Sequence, residues 1–272
     1  MADQFQLFTS LRYDPALLLD SKQPSPFYML EFHRDRMLRA AMHWGWEKAI
    51  AVIEGPEGLA RLETFLTQKL NPEPNDKPMR LKVLLSQEGE LGLESSHVPA
   101  TSLANLFPQR LPPAPDRNGS APAESETPPA GQPRSSPPYD IYIDDQLTQR
   151  SGYTHYKTTK REMYDQARQR AGLKPTDATK EVLIVDEAFG TIMEGSLTTP
   201  YFWRGGRWVT PPVAEKFSTE VGSGGQDGTT RRWALERGLA VEEEVKARDV
   251  ADGEAVWLSN GVRGFVFGWI RT

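Results

Sequence analysis

The sequence predicts an α+β protein built from two mixed halves, and three observations carry that expectation. Short apolar runs of strand character alternate with segments whose apolar residues recur every three to four positions, as on a buried helix face. The stretch 108–138 holds 10 of the 22 prolines, interleaved with Ser, Ala, Gly and Glu, and separates the halves. The chain has 272 residues, 38% of them hydrophobic and 25% charged, enough for one large domain or two modest ones with buried cores. The expected division is an N-terminal α+β domain at 1–107, a linker or extended loop at 108–138, and a C-terminal domain at 139–272.

In order along the chain, Phe5–Tyr13 and Tyr28–Phe32 read as short strands flanking a turn-rich stretch. Arg34–Trp46 reads as a helix with Met37, Leu38, Ala41 and Met42 on one face, and Leu59, Leu62, Phe65, Leu66 and Leu70 give a second. Arg80–Ser86 is a strand, turned at Glu88–Glu90 into a returning strand near Leu91–Leu93. Proline removes backbone donors, and the 108–138 stretch has little apolar surface to bury, so it reads as polyproline-like. Beyond it, Tyr139–Asp145 alternates as a strand and Lys160–Ala171 is a helix stopped at Gly172. Glu181–Asp186 is a buried strand, and Tyr201–Val209 is a hairpin around Gly205–Gly206. Thr230–Arg237 is a helix closed by Gly238, and Ala255–Ser259 and Phe265–Ile270 are the last strands.

Composition excludes several functions. With 32 basic and 37 acidic side chains the net charge is −5, against the basic face a general nucleic-acid binder needs. There are no cysteines, which removes disulfides, thiolate zinc sites and cysteine nucleophiles. No apolar run is long enough to span a bilayer, and the N-terminus lacks a basic leader with an apolar stretch, so a soluble cytoplasmic protein is expected.

Four places carry candidate chemistry. The run Gly222-Ser-Gly-Gly-Gln-Asp-Gly228 precedes Thr229, Thr230 and Arg231 at a helix start, which reads either as an anion cradle or as a surface loop. It is not a nucleotide phosphate loop, because no Gly-Lys-Ser/Thr follows. The sequence from Leu258 to Gly264 ends a strand in small polar residues, which in isolation read as a strand-to-strand turn before they read as hydrogen-bond donors to a ligand. Lys157, in HYKTTKR, is a solvated charge unless burial or a neighbouring cation such as Arg161 lowers its pKa enough for nucleophilic work. Glu194, flanked by Ile192 and Met193, is either a strand-edge surface charge or a buried partner for a cation.

The order and spacing of Arg36 in HRDRM, Lys157 in KTTKR, Glu194 in MEGSLTT, Gly228-Thr-Thr-Arg231 and Ser259-Asn260 resemble the class IV aminotransferase family. These are the fold-type IV pyridoxal-phosphate enzymes, and the FTSLRYDP opening and KTxxR motif are most similar to the fungal type of 4-amino-4-deoxychorismate lyase. The resemblance spans nearly the whole chain outside the proline-rich stretch. It implies a two-domain fold like that of D-amino acid aminotransferase, with a small N-terminal domain and a larger, cofactor-binding C-terminal pseudo-barrel. It implies pyridoxal 5'-phosphate as cofactor, with Lys157 as Schiff-base and proton-transfer residue and Glu194 against the pyridine nitrogen. Arg36, Thr229, Thr230 and Asn260 would hold the phosphate, and Arg12 would face substrate carboxylates. No metal is implied. The implied reaction converts 4-amino-4-deoxychorismate to 4-aminobenzoate and pyruvate in folate biosynthesis, with transamination of branched-chain or D-amino acids as the alternative.

The sequence departs from the family pattern in three ways. It opens on Phe5–Tyr13 without the usual preceding strand pair and glycine-rich loop, Thr199-Pro200 stand where an asparagine is common, and the linker is longer and richer in proline. The resemblance implies a homodimer, with a monomer as the alternative where that N-terminal segment is lacking.

Overall fold

The computed structural model describes residues 5–19, 25–71, 77–114, 133 and 137–272. It divides into two compact units, Met1–Thr101 with Tyr156–Lys160, and Ser102–His155 with Arg161–Thr272. The lysine segment 156–160 thus packs with the first unit although its flanking residues belong to the second.

In the first unit, β1 (Leu7–Tyr13) is followed by α1 (Leu30–His43), α2 (Glu47–Ile53), α3 (Gly55–Leu70), β2 (Met79–Leu85) and β3 (Leu91–His97). The three strands form an antiparallel sheet in the order β1-β2-β3, with Leu11 opposite Leu81 and Thr9 opposite Val83. Alternation along β2 buries Leu81, Val83 and Leu85 on one face. The strand expected at Tyr28–Phe32 is instead a turn and the start of α1. Met29 takes a left-handed φ of 53°, and Glu31 in the first turn favours the positive end of the helix dipole. The buried face of α1 carries His33, Met37, Ala40 and Ala41, whereas Met42, expected inside, is 55% exposed. Helix α2 was not foreseen: its seven residues bury only Ala49 and Ile53, too few apolar positions to display a period.

The second unit starts with α4 (Leu103–Leu106), then β4 (Tyr139–Thr148), α5 (Gly152–His155), α6 (Glu162–Arg170), β5 (Lys180–Asp186) and β6 (Ile192–Gly195). It continues with β7 (Thr199–Arg204), β8 (Arg207–Thr210), α7 (Thr229–Glu236), β9 (Val241–Glu242), β10 (Ala255–Asn260) and β11 (Gly264–Ile270). Its mixed eight-stranded sheet has the order β6-β5-β4-β11-β10-β7-β8-β9. The β4-to-β5 pairing is parallel, so the chain crosses over through α5 and α6. Tyr164 and Ala167 of α6 bury against Val182, Ile184 and Met193, which fixes that helix over β5 and β6. The opposite cluster gathers Ile141, Leu183, Phe202, Val256 and Leu258.

The proline-rich stretch expected at 108–138 lies mostly outside the described residues. Its first part is anchored: Leu111 is buried, and the Trp208 indole donates to the Pro112 carbonyl at 2.9 Å.

Candidate active site

Lys157 enters the first unit in an extended segment laid antiparallel along β1. The Phe8 amide donates to the Lys157 carbonyl at 3.1 Å, the Thr159 amide donates to the Gln6 carbonyl at 2.9 Å, and Leu7 bridges Thr158. The Lys157 Nζ then lies 4.9 Å from the centre of the Phe8 ring. Just before it, the buried Tyr156 packs against His43 and Trp44 at centroid distances of 4.5 and 5.3 Å.

Arg36 reaches the same neighbourhood from α1. Its Nη2 donates to Thr9 Oγ1 at 2.5 Å, and Thr9 Oγ1 lies 2.6 Å from Nδ1 of the fully buried His33. A guanidinium only donates, so the threonine oxygen accepts from Arg36 and its own hydrogen is available to His33 Nδ1. That assignment leaves the imidazole hydrogen on Nε2. Burial first, then the charges of Arg36 and Lys157, push the His33 pKa well below 6.5. His33 is therefore neutral at pH 7, and two cationic side chains bias this corner toward an anion.

Arg12 meets a carboxylate of this chain. It is 1% exposed, its Nε donates to Asp14 at 2.8 Å and its Nη2 donates to the Pro99 carbonyl at 3.0 Å.

In the second unit, Glu194 stands on β6 opposite Ile184 and is 9% exposed, so it is not the surface charge that its type usually makes. The Tyr164 hydroxyl donates to Glu194 Oε1, and Gln226 Nε2 donates to that hydroxyl at 3.1 Å. The glycine-rich run is not a loose loop either. Ser223 Oγ donates to the Met193 carbonyl at 3.2 Å, and a Cβ on Gly225 would lie 2.7 Å from that carbonyl oxygen and 3.3 Å from the Glu194 Cβ. Only glycine lets the run lie this close behind β6.

After Glu194 the chain turns around the buried Glu181 carboxylate. It accepts from Ser196 Oγ at 2.5 Å, Thr198 Oγ1 at 2.8 Å and the Leu197 amide at 3.1 Å. The Leu197 carbonyl in turn accepts from Asn260 Nδ2 at 3.3 Å, while Asn260 Oδ1 accepts the Val262 and Arg263 amides.

The run ends at Gly228, the cap residue of α7. Gly228 has no side chain with which to cap that helix, its first turn holds no acidic residue, and a Cβ on Gly228 would lie 2.7 Å from Thr199 Oγ1. Thr229 and Thr230 are buried in the first turn, with Thr230 Oγ1 2.8 Å from Ser259 Oγ, itself 2.9 Å from the Tyr201 hydroxyl. Burial pushes the Tyr201 pKa upward, so that chain ends on a neutral phenol. A glycine-led helix start with hydroxyls beside it suits a phosphate ester.

The structure thus gathers Arg36 with Lys157 in the first unit. In the second it places Glu194 against the glycine-rich run and links Thr230 to Ser259, the neighbour of Asn260. Sequence reasoning missed Thr9, His33, Tyr164, Glu181 and Gln226. His33 carried a signal, since it precedes Arg36 by three residues on one helix.

The amino-transferase class IV family profile matches residues 6–267. Aminodeoxychorismate lyase of Saccharomyces cerevisiae is 28% identical over 144 residues, which are 49% of this chain and 37% of that protein. The match thus spans little more than a third of the yeast protein's length. Among solved structures, a candidate amino-acid aminotransferase from Mesorhizobium loti superposes with a TM-score of 0.63 at 18% identity, covering 98% of this chain and all of that one. The PLP-bound form of a hypothetical aminotransferase from Mycobacterium tuberculosis gives a TM-score of 0.58 at 14% identity, covering 100% of this chain and 84% of the other. The fold is therefore that of the fold-type IV aminotransferases, and the chain belongs to the class IV amino-transferase family.

Proposed function

We propose that the protein binds pyridoxal 5'-phosphate and acts as a lyase, releasing pyruvate from 4-amino-4-deoxychorismate to leave 4-aminobenzoate. The observation that carries the cofactor assignment is the cationic corner of Arg36 and Lys157 around neutral His33. The glycine-led start of α7 supports it, because helix amides, like the Arg36 guanidinium, are donors for a phosphate ester. The yeast relative supports lyase chemistry over amino transfer.

When bound, the cofactor would supply an electron sink for the reacting carbon. Lys157 would hold the cofactor's aldehyde carbon, and its amine, when free, would take the proton from the substrate ring carbon that bears nitrogen. The same amine can return a proton to the methylene carbon of the departing enolpyruvyl fragment, so that pyruvate leaves and the ring becomes aromatic. Glu194 would hold a proton at the pyridine nitrogen. Arg36, Thr229, Thr230 and Asn260 would bind the phosphate. Aromatisation drives the elimination, so positioning and charge stabilisation are the main demands on the protein. For Arg12 to face a substrate carboxylate, it has to exchange Asp14 for it.

The purified protein is expected to absorb visibly with the cofactor bound and to form pyruvate from aminodeoxychorismate with no keto acid present. Lys157→Ala is expected to lose the borohydride-trappable absorbance and at least about 10²-fold in rate. Amino transfer that requires a keto-acid acceptor, with no pyruvate released, would overturn the lyase reading in favour of a branched-chain or D-amino acid aminotransferase.

A further inference from the structure

Tyr164 is fully buried on the inner face of α6, with the Arg161 guanidinium 4.5 Å from its ring centre. Its hydroxyl has one hydrogen and two acceptors in reach, Glu194 Oε1 and the Thr154 carbonyl at 3.1 Å. Gln226 Nε2 occupies a lone pair of the same oxygen. A carboxylate is the stronger acceptor, so with Glu194 ionised the hydrogen goes to it. Burial, followed by the charge of Glu194, pushes the Tyr164 pKa well above 10, and the phenol stays a neutral donor. If Glu194 itself takes up a proton, the phenol can turn to Thr154 and accept from the acid. In either state of the carboxyl group the phenol then has an acceptor for its hydrogen and a donor to its oxygen.

We propose that Tyr164 is a positioning residue that fixes the Glu194 carboxylate and sets how strongly it attracts a proton, with Gln226 of the glycine-rich run orienting the phenol. The role rests on the reading that Glu194 faces the cofactor's pyridine nitrogen. A donor to the carboxylate makes Glu194 a weaker base, which leaves more of the shared proton on the ring. Gln226 polarises the phenol and strengthens that donation.

The test uses the holoenzyme loaded with cofactor carrying 15N at the ring nitrogen. The wild type is expected to give a pyridinium-like shift, and Glu194→Gln a pyridine-like one. Tyr164→Phe keeps the ring beneath Arg161 and removes only the donor. It is expected to move the signal part of the way, corresponding to about 10- to 100-fold in the proton-sharing equilibrium. Gln226→Leu is expected to move it in the same direction by less, and decides the matter if Tyr164→Phe does not fold. If Glu194→Gln shifts the signal while Tyr164→Phe, or the fallback variant, leaves it at the wild-type position, the phenol is only structural and the proposal is overturned. If Glu194→Gln itself leaves the signal unchanged, the assignment of Glu194 fails, and the role of Tyr164 with it.

Discussion

His33 shows how one buried ring ties stability to acidity. Free in an unfolded chain it takes up a proton near pH 6.5, whereas in the fold, burial and the Arg36 and Lys157 charges hold that event far lower. Between those two points the unfolded chain binds more protons than the native one. Stability therefore falls as pH falls below 6.5, by up to about 1.4 kcal/mol per pH unit for this group. His33→Asn, which keeps an acceptor for Thr9, is expected to flatten that part of the profile in chemical denaturation at pH 5 to 7. Parallel curves for the two proteins would show that the ring does not titrate as described. At the same scale, Arg12 is held by Asp14 with both side chains almost wholly inside. Removing either partner takes the opposite charge from the other, and such losses are costly in a protein interior.

Among the elements, the glycine-rich run after Val221 links sheet to site. Gly225→Ala is expected to destabilise the fold by about 1–3 kcal/mol, because its new methyl would press on the Met193 carbonyl behind Glu194. Gly205 has a φ of 55° in the β7–β8 turn with nothing within 4 Å of an added Cβ. Gly205→Asn is expected to be almost neutral there, since asparagine tolerates left-handed backbone in such turns. Thermal melts of the two variants make the comparison, and equal losses would contradict the steric account. These elements also show what a sequence discloses. The apolar runs of β5 and β10 and the Gly205–Gly206 turn were plain, because burial on both faces and positive φ each restrict residue choice. The run's packing behind Glu194 was not, because the partners that bury it lie far off along the chain. Tyr164 and Gln226 stayed hidden for the same reason: they are 62 residues apart, and neither alone is unusual. The start of α1 was misread because Tyr28–Phe32 is apolar and aromatic, while the turn before it depends on a left-handed Met29.

At the scale of the molecule, the first unit is not a continuous piece of chain. The segment Tyr156–Lys160 pairs with β1 and supplies Tyr156 to a group of rings made by His43, Trp44, Trp46 and Phe5. A fragment ending at residue 101 therefore lacks one partner of β1 and one wall of that aromatic group. Such a fragment is expected to bind hydrophobic dye and to lack a sharp thermal transition. Restoring 156–160 through a short fused linker should recover cooperativity. A sharp transition in the bare fragment would show that the later segment is dispensable to the fold.

The borrowed segment also sets a timetable. During synthesis the first 101 residues are made well before Lys157 leaves the ribosome, and at roughly 5–20 residues per second the delay is about 3–12 s. For that interval the hydrogen-bonding edge of β1 is uncovered and stands ready to pair with any extended peptide nearby. A nascent-chain chaperone that shields this edge would raise the yield of finished protein, and slowing translation between the two points would lower it.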